Sequence, residues 1–501
     1  MHRSIVVAFA AGFALLLARC TTSANNSPDG GRSSASGAES GAAMGPGSGS
    51  GSASGSSSGS PSSGTSSTGD DGGSPPPGDA GGADAPSGDA PGSSSNCPAN
   101  DPGMEKMFAS QAVAPGKPFD HSENDPTPGD GGAPPSGWNF YLIDGAMCRD
   151  GSPFGIYVHY ASTTKLFIYL EGGGACNESH FCDHNPANMN QVFPGGEAMQ
   201  GQTVAGSLAC VAGLQAPYTT GLFDTTNSAN PVKDWSGVYV PYCTGDVHFG
   251  TADNVTINDD PLDVKMNQHF VGYKNMQKSI ARLVPTFPGV NQILLTGASA
   301  GGIGAALNLG LVQDSFGPGV PVTVLDDSGP PSDPASLWPA CLQKAWRSTW
   351  GFAGSLPSDC VECTQSDGSG LENLVTYYHR KYPTAKIGLV STTQDQVIRL
   401  FYGAGDNNCQ TNDANTLTLT GGGVSTAAFT ANLDAIRTKY DCTGAFSTYY
   451  IGMSSNYSDP TLHQHIFRGA EFFKALTSDG GTTLAQWTAD LVAGKLDMIG
   501  P

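Results

Sequence analysis

The chain has 501 residues, a formal net charge of −21 and 68 glycines. That charge argues against nucleic acid and anionic membrane surfaces as partners, because phosphates are bound by clustered Lys and Arg. Much of the glycine and serine falls in one early stretch that holds almost no large apolar side chain, so only the remainder can build a core.

Residues 1–20 read as an export signal. His2 and Arg3 form a short basic end, and residues 5–17 form an apolar run too short to cross a bilayer comfortably. Cys20 follows Leu17-Ala18-Arg19 and resembles the lipidated cysteine of bacterial lipoproteins, although Arg19 takes a place usually held by a small residue. A lipid anchor to a membrane through Cys20 is favoured over plain secretion. Residues 21–100 are Gly, Ser, Ala, Pro, Asp and Thr almost throughout and read as a flexible linker. Residues 101–501 then form the catalytic domain.

In that domain, apolar β-branched runs alternate with helical patterns. Residues 155–160 and 165–170 read as an early hairpin, followed by strands at 237–241, 292–296, 320–325, 387–391 and 447–451. Helical spacing occurs at 270–283, 302–311, 371–382 and 427–439. The expected fold class is α/β, a doubly wound, mostly parallel sheet. The turn-rich stretches 177–235 and 330–370 read as disulfide-bearing insertions over the carboxyl edge of the sheet, where ligands bind. Of 12 cysteines, all but Cys20 suggest a disulfide framework of an exported protein, with Cys97 the odd member. Cys360-Val-Glu-Cys363 has zinc-knuckle spacing but no second pair. Its cysteines are expected to be halves of two separate disulfides, and no metal or organic cofactor is implied.

The chemistry centres on Gly297-Ala-Ser-Ala-Gly301. A strand precedes it and a glycine-led helical pattern follows, which is the setting of a nucleophile elbow with Ser299 at its tip. The same G-x-S-x-G spacing at 55–59, around Ser57, lies in the linker and has no such setting. A serine hydroxyl needs a base, a group to orient the base and donors for the oxyanion. Asp395, after the second strand past the elbow, is the favoured orienting acid, with Asp326 and Asp327 as rivals one strand earlier. His463 and His465 follow the last strand; one of them is the base, and His463 is favoured. The glycine run Leu170-Glu-Gly-Gly-Gly-Ala-Cys176 offers the backbone N–H groups of Gly173 and Gly174, which with Ala300 would form the oxyanion hole. Asp246 and His248 end another strand. Their order in the chain is wrong for a triad of this fold, so they read as a loop that shapes the site or touches substrate.

These segments together resemble the pectin acetylesterase and Notum carboxylesterase family. The matching pieces are Cys148-Arg-Asp-Gly-Ser-Pro-Phe-Gly155, Leu170-Glu-Gly-Gly-Gly-Ala-Cys176, Val240-Pro-Tyr-Cys-Thr-Gly-Asp-Val-His248, Gly297-Ala-Ser-Ala-Gly-Gly302 and Asp327-Ser-Gly329. The resemblance implies an α/β-hydrolase fold and a Ser-Asp-His triad of Ser299, Asp395 and either His463 or His465. It implies hydrolysis of acyl esters, with acetyl removal from a polysaccharide such as pectin the favoured reaction. Notum-like members take a long lipid acyl chain and pectin-type members take acetyl. The plant members' His-Cys pairing is absent here, where Gln464 follows His463. The competing expectations are a lipase or polyester depolymerase, and a non-catalytic glycan-binding surface protein on a hydrolase fold.

Overall fold

The structure, a computed structural model, describes residues 108–120, 137–184, 220–332, 337–403, 409, 424–441, 443–454, 469–477 and 481–501. Its strands are β1 (Trp138–Met147), β2 (Pro153–His159), β3 (Lys165–Leu170), β4 (Ser236–Val240), β5 (Ala252–Ile257), β6 (Lys265–Phe270), β7 (Gln292–Ala298), β8 (Val322–Asp327), β9 (Lys386–Thr392), β10 (Phe446–Ile451) and β11 (Met498–Ile499). Its helices are α1 (Ser179–His184), α2 (Gly272–Thr286), α3 (Ala300–Leu307), α4 (Leu309–Phe316), α5 (Ala340–Trp350), α6 (Asn373–Lys381), α7 (Gln396–Gly403), α8 (Thr426–Asp441) and α9 (Leu484–Val492).

Nine strands form one sheet in the order β1-β2-β4-β3-β7-β8-β9-β10-β11, and β5 and β6 form a separate antiparallel pair. From β4 to β11 every pairing is parallel; β1 and β2 join antiparallel at one edge. This is the α/β-hydrolase arrangement. The central strands are buried on both faces, so their side chains alternate between two apolar layers. Ile168, Ile293, Leu295, Val324 and Leu389 point to one layer, and Phe167, Tyr169, Leu294, Leu325 and Val390 to the other. The chain leaves β3 toward β4 on one side and returns to β7 on the other. The strand order therefore reverses between β3 and β7, and their carboxyl ends flank the crevice where such sheets bind ligands.

Two expectations need correction. The early hairpin is β1 with β2, not 155–160 with 165–170, because β4 lies between β2 and β3. All five β4 residues are buried, and pairing on both sides satisfies their backbone groups away from water. Cys360 and Cys363 are not halves of separate disulfides but bond to each other across a one-turn helix that brings their Cα atoms to 5.3 Å. Three further bonds join Cys148 to Cys243, Cys176 to Cys182 and Cys341 to Cys409. Cys20 and Cys97 lie outside the described residues.

Candidate active site

Ser299 sits between β7 and α3 with φ 59° and ψ −123°, a backbone state that a non-glycine residue rarely adopts. The strain is held from both sides. The Ser299 N–H donates to the Asp327 carbonyl at 2.6 Å, and the Ser299 carbonyl accepts from Gly302 and Ile303 at 2.9 and 3.1 Å. The turn is tight enough that a Cβ at Gly297 would overlap the Gly301 carbonyl oxygen, and a Cβ at Gly301 would overlap that of Leu170. The flanking glycines are thus required by close approach of β3, β7 and α3. No group among the described residues hydrogen-bonds the Ser299 hydroxyl. Ala300 opens α3, so its N–H belongs to the first turn, where donors lack partners within the helix.

The glycine loop after β3 packs directly against the elbow. A Cβ at Gly172 would overlap the Ala298 carbonyl oxygen and come within 2.9 Å of Ser299 Cβ. The sequence points to Gly173 and Gly174 as donors, whereas the glycine packed against the elbow is Gly172. Its signal was only its place as the first glycine of the run. Gly173 and Gly174 follow, and the loop is anchored beyond them. Tyr242 Oη–H donates to the Gly174 carbonyl at 2.9 Å and accepts from the Val247 N–H at 2.9 Å. Cys176 N–H donates to Gly245 at 2.8 Å, and Trp350 Nε1–H donates to Cys176 at 2.7 Å. Glu171, buried, accepts the Tyr242 N–H at 3.0 Å.

Asp246 and His248 belong to that anchoring layer. Asp246 is sealed from solvent and accepts from Thr244 Oγ1–H at 2.6 Å and the Gly272 N–H at 2.7 Å. Burial pushes its carboxyl up to about 6, against the pull of those donors. His248 Nε2–H donates to the Glu171 carbonyl at 2.8 Å, and burial pushes the imidazole down to about 4. The pair supports the glycine loop from behind.

The three candidate acids differ in surroundings. Asp326 is buried against Gly302, accepts the Gly329 N–H at 2.8 Å, and has its carboxyl raised well above the usual range by burial and the neighbouring Asp327. Asp327 accepts from Ser328 Oγ–H at 3.0 Å while its carbonyl holds the elbow. Asp395 is buried in the loop after β9 and caps α7, its Oδ1 accepting the N–H groups of Val397 and Ile398 at 2.9 Å each. Tyr402, farther along α7, donates to the Pro330 carbonyl at 2.6 Å, and burial pushes its hydroxyl well above the usual range. The carboxyl edge thus brings together Ser299, Ala300, Gly173, Gly174 and Asp395. His463 and His465 lie outside the described residues; β10, the strand they follow in sequence, ends on the same edge beside β9, with Thr393 N–H donating to Ile451 at 2.9 Å.

Residues 140–369 match the family model of pectinacetylesterase. Palmitoleoyl-protein carboxylesterase NOTUM of Drosophila melanogaster is 29% identical over 256 residues, 48% of this chain and 34% of that protein. The notum2 carboxylesterase of Xenopus laevis is 30% identical over 192 residues, 36% of this chain and 34% of that protein. Human NOTUM is 27% identical over 196 residues, 38% of this chain and 35% of that protein. The chain therefore spans about a third of the length of these curated relatives. Among solved structures, the Wnt deacylase Notum from Drosophila superposes with a TM-score of 0.46 and 19% identity, covering 73% of this chain and 96% of that one.

Proposed function

Residues 140–369 belong to the pectinacetylesterase family, and from that premise we propose that the chain is an exported serine carboxylesterase that removes O-acetyl groups from a polysaccharide such as pectin. The observation that carries this reading is Ser299 itself. It occupies a strained turn, its hydroxyl is not engaged by the described scaffold, and Gly172 at the head of the glycine loop is packed against it.

In the proposed cycle, Ser299 Oγ attacks the ester carbonyl as His463, or His465, takes its proton. The N–H groups of Gly173, Gly174 and Ala300 receive the negative charge that develops on the carbonyl oxygen. Asp395 fixes the imidazole and stabilises its cation. The histidine returns the proton to the leaving alcohol, and water releases the acyl group by the same steps in reverse order. Residues 1–20 would direct export, Cys20 would carry a lipid, and residues 21–100 would hold the enzyme away from the surface it is anchored to. The four disulfides among the described residues fit an oxidising compartment.

The test is hydrolysis of p-nitrophenyl acetate and release of acetate from acetylated pectin by the full chain, with Ser299→Ala as control. Turnover that disappears in the variant supports the reading. Turnover that survives the substitution refutes Ser299 as nucleophile.

A further inference from the structure

We infer that His248 is a positioning residue of the reaction: it fixes the spacing between the loop after β3 and the first turns of α3, the two backbone segments that would supply the oxyanion donors. The inference rests on the reading of Ser299 as nucleophile and of Gly173, Gly174 and Ala300 as donors.

His248 is tied to both segments. Its Nε2–H donates at 2.8 Å to the carbonyl of Glu171, the residue just before the glycine run. The same carbonyl oxygen lies against α3, 2.7 Å from where a Cβ of Gly301 would stand. On the helix side, a Cβ at Gly304 would come within 2.7 Å of the Val247 carbonyl oxygen and 3.2 Å of His248 Cβ. Asn308, at the end of α3, donates through Nδ2 to the His248 carbonyl at 3.1 Å and to the Gly304 carbonyl at 2.9 Å. The His248 ring packs on Tyr242 at 4.7 Å between centroids, and a Cβ at Gly173 would come within 2.9 Å of that tyrosine ring. Directly or through one neighbour, His248 touches the glycine loop on one side and the elbow helix on the other.

The backbone is strained to put it there. Val247 and His248 are consecutive, both lie at positive φ (51° and 57°), and a β-branched valine enters that region least readily of all. Tyr242 holds the Val247 N–H and Asn308 holds the His248 carbonyl, which keeps the turn in place. Glycine adopts this region freely, and the same loop uses it at Gly245, with φ 72°. Carrying a histidine at 248 instead supplies one donor to one buried carbonyl oxygen.

Oxyanion donors act only within hydrogen-bond reach of the oxygen on which charge develops, and a misplacement of about 1 Å costs about 10²-fold in rate. Taking the imidazole donor away from the Glu171 carbonyl frees the loop to shift against α3. The charge exists only in the transition state, so the loss falls on kcat and spares KM.

The experiment measures kcat and KM of the full chain for p-nitrophenyl acetate, and the Ki of an aryl trifluoromethyl ketone, whose serine adduct places an oxyanion in the hole. It compares the wild type with His248→Phe, which keeps a ring against Tyr242 without the donor, and His248→Gln, which keeps a donor. Near-ultraviolet circular dichroism reports whether each variant keeps its packing. In His248→Phe, kcat should fall about 100-fold with KM within about 3-fold, and Ki should rise by the same factor as kcat falls. His248→Gln should regain at least about 10-fold in kcat over His248→Phe. Should His248→Phe fail to fold, Asn308→Ser carries the test: it loosens the tie between α3 and the His248 carbonyl and should cost about 10-fold in kcat at unchanged KM. A folded variant of either residue with wild-type kcat overturns this inference alone, as does a His248→Gln no better than His248→Phe, or a loss carried by KM. A wild type that hydrolyses no ester and is not labelled by a fluorophosphonate overturns both this inference and the esterase reading beneath it.

Discussion

Two buried loops at the carboxyl edge look alike in local terms and differ in what they can do. The elbow at 297–302 holds Ser299 at φ 59°, and the loop at 242–250 holds Val247 and His248 at φ 51° and 57°. Both are crowded by glycines, and both carry side chains that could do chemistry. In the second loop the scaffold engages both side chains: Asp246 accepts from Thr244 and Gly272, and His248 Nε2–H donates to Glu171. In the first, the described scaffold holds only the backbone of Ser299 and leaves its hydroxyl to the substrate side. Backbone strain marks both loops. What separates a reactive group from a structural one here is whether its polar atoms are already engaged. The second loop serves the first, because Tyr242 and His248 support the glycines that pack against Ser299.

The comparison can be broken on the elbow side first. Asp395→Asn keeps an oxygen to cap α7 but removes the charge that would steady an imidazolium. Its kcat should fall about 10⁴-fold with the urea midpoint nearly unchanged; a loss below 10-fold would remove Asp395 from the mechanism. Gly301→Ala drives a methyl into the Leu170 carbonyl and should destabilise by more than about 4 kcal/mol or prevent folding, read from urea unfolding. A variant as stable as the wild type would mean the crossing of β3 and α3 is looser than described.

The supporting loop is sharpened by pH. Asp246 has its carboxyl raised from an ordinary 3.8 to about 6, so between those values the folded state keeps a proton that the unfolded state has lost. Its contribution to stability is present below pH 4 and fades by pH 6, about 3 kcal/mol in all. His248 is lowered from 6.5 to about 4, so there the unfolded state holds the extra proton. Its contribution is present above pH 6.5 and fades as pH falls to 4, again about 3 kcal/mol. The two slopes oppose each other. Relative to the wild type, Asp246→Asn should gain stability as pH rises from 4 to 6, and His248→Gln should lose it. Urea midpoints at pH 4, 5, 6 and 7 would show this, and variants with the same pH slope as the wild type would contradict it. The smallest effect is expected from Tyr242→Phe. It removes the donor to Gly174 and the acceptor for Val247, for about 1–3 kcal/mol of stability and a fall in kcat without a matching rise in KM.

What the sequence made legible was local and periodic. The apolar runs of β3, β7, β8, β9 and β10, the glycines around Ser299 and the run at 172–174 each carry their meaning within a few residues. The misread parts depend on partners far along the chain. Residues 155–170 look like a hairpin until β4, some 70 residues later, inserts between the two strands. β1 contains Asp144-Gly145, which resembles a turn, and β5 and β6 are polar and largely exposed, so neither shows a strand period. Asp246 and His248 read as a loop that shapes the site or touches substrate, and nothing local shows that Gly272 and Glu171 reach them. Asp395 is favoured over Asp326 by its strand position in the sequence alone, whereas the packing of Asp326 against Gly302 is visible only in the structure.

The most direct test of the central claim is covalent labelling of the full chain with a fluorophosphonate, followed by mass-spectrometric mapping. A single adduct on the peptide carrying Ser299, absent in Ser299→Ala together with ester turnover, is the predicted result. A labelled serine elsewhere, or undiminished turnover in Ser299→Ala, would contradict it.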